Sequence, residues 1–180
     1  MERPVLFAPW RMPYIKGLDK PPGGDGCFLC AAAAADTPEA RRAALVLWRT
    51  GHSVVLLNRY PYANGHVMVA PLGHHADLDA LPPEGQADIM AQTAAVVRLL
   101  RRAVSAQGAN IGINLGRCAG AGVPGHLHQH VVPRWAGDVS FMHVVGDVRV
   151  VPEAVRQTYD ELLRVRQETE AEERAGGSEK

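Results

Sequence analysis

The sequence predicts an α+β domain: an antiparallel sheet of about five strands, with one long helix and a C-terminal helix packed on one face. Three observations predict it. Short apolar, β-branched runs come in pairs separated by turn residues, as the strands of hairpins do. Residues 84–107 carry an apolar stripe at helical spacing (Ile89, Thr93, Val96, Val97, Leu100, Val104). No repeat or linker divides the 180 residues, which suffice for one domain with a proper core.

Residues 1–26 are rich in Pro and Gly and end in Pro21-Pro22-Gly23-Gly24-Asp25-Gly26. They read as an arm packed on the domain, anchored by Trp10 and Tyr14. The domain proper spans 27–167, and the charged residues 168–180 are expected to fray. Within Ala31–Ala44 a short helix is expected, capped by Asp36 or Thr37. Leu45–Arg49 and Ser53–Asn58 flank Thr50-Gly51-His52 as a hairpin. Asn58-Arg59-Tyr60-Pro61 turns the chain into a third strand, His66–Ala70, which Pro71 closes. Pro82-Pro83-Glu84 and Gly108 are the start and stop signals of the long helix. Its Arg98, Arg101 and Arg102 lie mostly off the apolar stripe and read as a solvated face. Ala109–Leu115 is the next strand and leads through a glycine-rich loop into the last one. Beyond the turn at Trp135-Ala136-Gly137-Asp138 comes the apolar stretch Phe141–Val145. Val151-Pro152-Glu153 then opens a final helix with Val155, Tyr159, Leu162 and Leu163 on one face.

Nineteen basic residues balance nineteen acidic ones, so no global field draws the chain to nucleic acid or to a membrane surface. No apolar run approaches a membrane span, and the start lacks a signal-peptide pattern. Three cysteines are too few and too uneven for a disulfide framework. A cytoplasmic protein is the expectation, with any anion binding local.

The stretch that carries chemistry is Gly125-His126-Leu127-His128-Gln129-His130-Val131-Val132-Pro133-Arg134. On an extended strand, His126, His128 and His130 project from one face, and Leu127, Gln129 and Val131 from the other. Three imidazoles this close disfavour a fully charged state, so at least one should be neutral near pH 7, as a nucleophile, base or metal ligand must be. A bare metal site would leave the glycines upstream unexplained. Gly116, Gly120, Gly122 and Gly125 permit unusual backbone angles and let peptide N–H groups converge on an anion. A phosphate cradle beside a nucleophilic imidazole is what phosphoryl or nucleotidyl transfer needs. There is no Gly-x-x-x-x-Gly-Lys loop and no acidic pair for a two-metal nuclease, so no catalytic metal is expected.

Cys27-Phe28-Leu29-Cys30 is a C-x-x-C pair. No βαβ pattern surrounds it, which argues against a thioredoxin-like site. Metal binding requires two more ligands, for which His74 or His75 and His126 are candidates. The alternative is two reduced thiols.

His-x-His-x-His followed by two apolar residues resembles the signature of the histidine triad nucleotidyl hydrolases and transferases. Ala8–Ile15, Leu57–His66 and Val132–Asp138 resemble a prokaryotic branch associated with diadenosine tetraphosphate phosphorylase activity, and the likeness covers about residues 5–165. Val139, Ser140 and His143 depart from that branch. His130 stands where some phosphorylases of the superfamily carry Gln, as it does in the hydrolase and phosphoramidase branches. The resemblance implies a nucleoside polyphosphate substrate, with inorganic phosphate or water as acceptor, and commonly a homodimer. It implies His128 as nucleophile, His130 on phosphate oxygens, and His126 as zinc ligand or orienting group. Asn58 would bind ribose hydroxyls unless it only serves its turn. Asn114 and the loop amides of Gly122, Val123 and Gly125 would hold phosphate oxygens, and Arg117 would reach the outer phosphates or stay solvated. A structural zinc on Cys27, Cys30, His74 and His126 is implied as well. A nucleotide-binding regulatory protein with little turnover is the non-enzyme alternative, and a zinc-only structural module the third.

Overall fold

The computed structural model describes residues 26–138 and 153–177. The expectations for the N-terminal arm with Trp10 and Tyr14, for Phe141–Val145 with Val139, Ser140 and His143, and for Val151-Pro152 lie outside the described residues. Five strands form one sheet: β1 (Val46–Arg49), β2 (Ser53–Leu57), β3 (Val67–Pro71), β4 (Gly108–Ile113) and β5 (Gln129–Arg134). Their order is β1-β2-β3-β5-β4, and every neighbouring pair is antiparallel. The helices are α1 (Phe28–Ala33), α2 (Pro38–Ala43), α3 (Pro83–Ala103) and α4 (Val155–Gly177).

The main core lies between the sheet and the long helices. Val55, Leu57, Val67, Val69, Leu127 and Val131 meet Ile89, Val96, Leu99 and Leu100 of α3 and Tyr159, Leu162 and Val165 of α4. The α3 stripe is therefore the one its spacing predicts, with Leu99 added. Strands β2 and β3 are buried along their whole length, on both faces. The second face is covered by Leu29, Ala32 and Ala33 of α1 against Val54, Leu56, Met68 and Ala70. This corrects the expectation of helices on one face only: apolar residues at successive positions of β2 and β3 require cover on both.

The alanine-rich stretch forms two helices rather than one. Asp36-Thr37-Pro38 breaks it. Thr37 Oγ1 accepts the Ala40 N–H at 3.1 Å, and Pro38 occupies the first helical position. Asp36 instead pairs with Arg49 at 3.0 Å.

Strand β5 begins at Gln129, later than the triad pattern suggests. Continuing its pairing with β3 would set Leu127 opposite Pro71, which has no N–H to donate. The Leu127 N–H goes to the His75 carbonyl instead, at 2.6 Å. The alternation survives beyond the ladder: Leu127 and Val131 enter the core, while His128 and His130 line a cavity on the opposite face.

Helix α4 runs past Glu168, where fraying is expected, to Gly177. Arg164–Glu168 (2.5 Å) and Arg166–Glu170 (2.6 Å) brace successive turns, and Arg102 of α3 holds Glu172 at 2.5 Å. Such exposed pairs contribute little each. The helix is held chiefly by its buried stripe and by its grip on β1, whose register slips between Val46 and Trp48. There the Tyr159 hydroxyl donates to the Val46 carbonyl at 2.9 Å and Arg166 donates to the Leu47 carbonyl at 3.0 Å.

Candidate active site and metal centre

A cavity of about 650 Å³ opens on the face covered by α1 and α2. Asn58, Arg59, Tyr60, Tyr62, His128 and His130, with Gly120 and Gly122, supply its polar lining. The apolar lining is Phe28, Leu45, Leu56, Leu57, Met68 and six alanines between Ala31 and Ala44. Those alanines come from the two short helices (Ala31, Ala40, Ala43) and from the residues just past their ends (Ala34, Ala35, Ala44), so the break at Thr37-Pro38 shapes the wall.

His128 is buried. Its Nδ1 lies 2.8 Å from the His126 carbonyl oxygen, which can only accept, so Nδ1 carries the proton and Nε2 the lone pair. Burial pushes the ring below its ordinary value of 6.5, against a smaller opposing effect of that hydrogen bond. The result is a neutral imidazole with a defined tautomer in the wall of a cavity, the state a nucleophile requires.

His130 stands beside it, the ring centroids 5.0 Å apart and nearly perpendicular. His130 Nδ1 faces Nε2 of the fully buried His66 at 3.0 Å. On the other side of that ring, His66 Nδ1 accepts the Tyr62 N–H at 3.1 Å, with the Asn58 amide nitrogen at 3.3 Å. Tyr62 stacks on His66 with centroids 4.8 Å apart. Asn58 Oδ1 accepts the Tyr60 N–H at 2.9 Å, so this residue serves the turn while lining the cavity.

Of the other expected phosphate contacts, Gly122 lines the cavity, whereas Asn114, Arg117, Val123 and Gly125 do not. Arg117 is exposed and Asn114 half-buried. The loop turns at Gly116 (φ 74°) and Gly120 (φ 86°), left-handed positions that favour glycine. Gly125 backs onto His74: a Cβ there would stand 3.0 Å from His74 Nε2.

Cys27, Cys30, His74 and His126 converge, with all four ligand atoms within 4.8 Å of one another. Nδ1 of His126 is 3.3 Å from Cys27 Sγ and 3.4 Å from Cys30 Sγ, and Nδ1 of His74 is 3.2 Å from Cys30 Sγ. Tetrahedral zinc bonds of about 2.0–2.1 Å to nitrogen and about 2.3 Å to sulfur imply N···S edges of about 3.5 Å, so the donor set fits such an ion. His126 Nε2 donates to the Pro71 carbonyl at 2.9 Å, which leaves Nδ1 as the ligating nitrogen. The geometry selects His74, whose ring nitrogen joins the cluster, over His75. His126 therefore has two duties: its ring joins the cysteines, and its carbonyl orients His128.

Sequence alone did not single out His66, Tyr60, Tyr62 or the alanine wall. His66 stands directly after Gly65 (φ 75°) and just before the apolar strand β3, a position that by itself carries no pattern.

The fold is thus a five-stranded α+β domain that sets a buried, tautomer-fixed histidine in a cavity wall beside a second histidine and two loop glycines. Residues 39–137 match the family model described as HIT domain. The chain belongs to the histidine triad (HIT) family. It is 34% identical over 154 residues to a Mycobacterium tuberculosis protein named AP-4-A phosphorylase, which covers 85% of this chain and 79% of that protein. It is 36% identical over 95 residues to the asymmetrical bis(5'-nucleosyl)-tetraphosphatase of Schizosaccharomyces pombe, covering 53% of this chain and 52% of that one. Among solved structures, a Zn-bound histidine triad family protein from Mycobacterium smegmatis superposes with a TM-score of 0.58 at 30% identity, over 81% of this chain and 96% of that one. Among the described residues no helix is long and apolar enough to cross a membrane.

Proposed function

We propose that this HIT-family enzyme transfers a nucleotidyl group from a dinucleoside polyphosphate to inorganic phosphate, diadenosine tetraphosphate giving ATP and ADP. The observation that carries the reading is the 2.8 Å bond from His128 Nδ1 to the His126 carbonyl, which leaves Nε2 unprotonated in the cavity wall. In the first step Nε2 of His128 attacks the α-phosphorus. A P–N bond forms, the P–O bond to the leaving group breaks, and ATP departs. In the second step a phosphate oxygen attacks the same phosphorus, the P–N bond breaks, and ADP is released. His130 and the amides around Gly120 and Gly122, which line the same cavity, would hold the non-reacting oxygens as they gather charge. The apolar wall takes the base, with Asn58 near the ribose. The likeness to the M. tuberculosis phosphorylase, over most of both chains, supports phosphate as acceptor.

With water as acceptor the products become AMP and ATP, a reading favoured by the similarity to the S. pombe tetraphosphatase and by His130. The Cys27–Cys30–His74–His126 cluster would hold a structural zinc, as the Zn-bound relative suggests, tying α1 to the segment just before β5 that bears His128. The edge strand β4, with Ile111 half exposed, offers a surface for a second copy, in keeping with a homodimer.

Incubation with diadenosine tetraphosphate, with and without phosphate, followed by product identification, tests the reading. ATP and ADP, formed only with phosphate, support it; AMP formed regardless of phosphate assigns the hydrolase. His128→Ala should abolish turnover and keep nucleotide binding. Tight binding by the wild-type protein without consumption of any dinucleotide would leave a regulatory binding protein.

A further inference from the structure

We propose that Arg59 reads the nucleobase and biases the cavity toward a 6-oxopurine, guanine first, over adenine. Arg59 follows Asn58 in the turn after β2 and lines the cavity. Its Nη2 donates to the Ala43 carbonyl at 2.7 Å. Ala43 is the last residue of α2, where backbone carbonyls lack helical partners and the negative end of the helix dipole attracts a cation. Ala43 and its neighbours Ala40 and Ala44 belong to the apolar wall, so the tether fixes the guanidinium against that wall.

A guanidinium has five N–H donors and no acceptor, and the tether uses one of them. Among the described residues no carboxylate pairs with Arg59, whereas Arg42, Arg49, Arg102, Arg134, Arg164 and Arg166 each hold one. The other donors of Arg59 are therefore available to a bound molecule. Guanine presents two adjacent acceptors, O6 and N7, which a guanidinium fork meets with two N–H groups. Adenine sets its 6-amino group, itself a donor, beside N7 and so opposes the fork donor to donor. Among the described residues no carboxylate lines the cavity to accept from that amino group, and Asn58 Oδ1 is already taken by the Tyr60 N–H. Arg59 is exposed, so water weakens the discrimination without changing its sign. The inference rests on the nucleotidyl-transfer reading, because it names the nucleotide whose α-phosphorus is attacked.

The test gives the full-length protein, with phosphate, the mixed dinucleotide adenosine(5')tetraphospho(5')guanosine. When guanine is seated, His128 attacks the guanosine α-phosphorus and the P–O bond to ATP breaks. Phosphate then displaces the histidine, the P–N bond breaks, and GDP is released. When adenine is seated, GTP leaves and ADP forms. The GDP-to-ADP ratio in one tube thus reads the base preference directly. Wild type should give GDP in about fivefold excess or more, and the inosine analogue of the dinucleotide, which keeps O6 and N7, should give the same bias. Arg59→Leu should bring the ratio near one. Arg59→Lys, which keeps the charge and loses the fork, should also lose most of the bias. Equal products or an excess of ADP from wild type overturns the proposal. So does a ratio unchanged in Arg59→Leu, including the case where both rates fall together, which would put Arg59 on phosphate. Should water be the acceptor, GMP and AMP are compared in the same way. Failure of any dinucleotide to react would remove the proposed function, and the base preference would then be read from the affinities for GMP and AMP. Tighter GMP binding, lost in Arg59→Leu, supports it; equal affinities overturn it.

Discussion

Gly125→Ala separates two roles for one residue. Its sequence position suggests a phosphate-binding amide, whereas its place in the fold is behind His74. Its backbone lies outside the left-handed region, so alanine can adopt it. The added Cβ would stand 3.0 Å from His74 Nε2 and 3.7 Å from Cε1, tighter than ordinary contact by a few tenths of an ångström. His74 is exposed and gives way first. Metal–ligand distances tolerate only about 0.2 Å, so a shift of that size weakens the fourth bond. Zinc affinity should fall by about 10–100-fold, equivalent to about 1.4–2.7 kcal/mol. Competition against a chromophoric chelator measures it, with Gly112→Ala as the control, because a Cβ there meets nothing within 4 Å. Unchanged zinc affinity together with a raised KM would refute the reasoning and return Gly125 to the phosphate site.

Removing the Ser53 hydroxyl should weaken the fold in a pH-dependent way. Burial pushes the Asp88 carboxyl up, but hydrogen bonds from Ser53, Thr50 and Gln92 together outweigh it and hold it below the ordinary 3.8. A depressed folded-state value contributes stability that is present above the unfolded value and lost as pH falls through the folded one. Ser53→Ala should therefore cost about 1–2 kcal/mol at pH 7, discounted for the partial exposure of Asp88, and progressively less as pH falls below 3.8, as read by urea unfolding. Leu162→Ala empties a fully buried position between α4 and the sheet and should cost about 2–5 kcal/mol in the same assay. With His128 held below 6.5 by burial, kcat/KM should persist as pH drops through 6.5 and fall only below it; an acid limb above 6.5 would contradict the assignment.

The parts of the fold that were legible in the sequence are those governed by local periodicity. The two-residue repeat of the triad correctly sends Leu127 and Val131 to the core and His128 and His130 to the cavity. The α3 stripe follows from its spacing in the same way. The C-x-x-C pair could be matched to His126 and to one of two adjacent histidines, but choosing His74 over His75 required the path of the loop. His66 was not singled out because its partner is 64 positions distant and a single histidine before an apolar strand carries no pattern of its own. Asp88 escaped notice for the same reason, since it lies on α3 and its donors Thr50 and Ser53 sit on the β1–β2 hairpin. The start of β5 was misplaced because the donor missing at Pro71 matters only once the register is known.

The peptide that orients the proposed nucleophile, His128, is itself moored outside the chamber it serves. His126 is clamped by a proline carbonyl on one ring nitrogen and by the thiols on the other, so a guest pushing on residue 128 pushes against an anchorage it never touches. Alignment at the reacting nitrogen is thereby insulated from whatever base or tail the guest happens to bring.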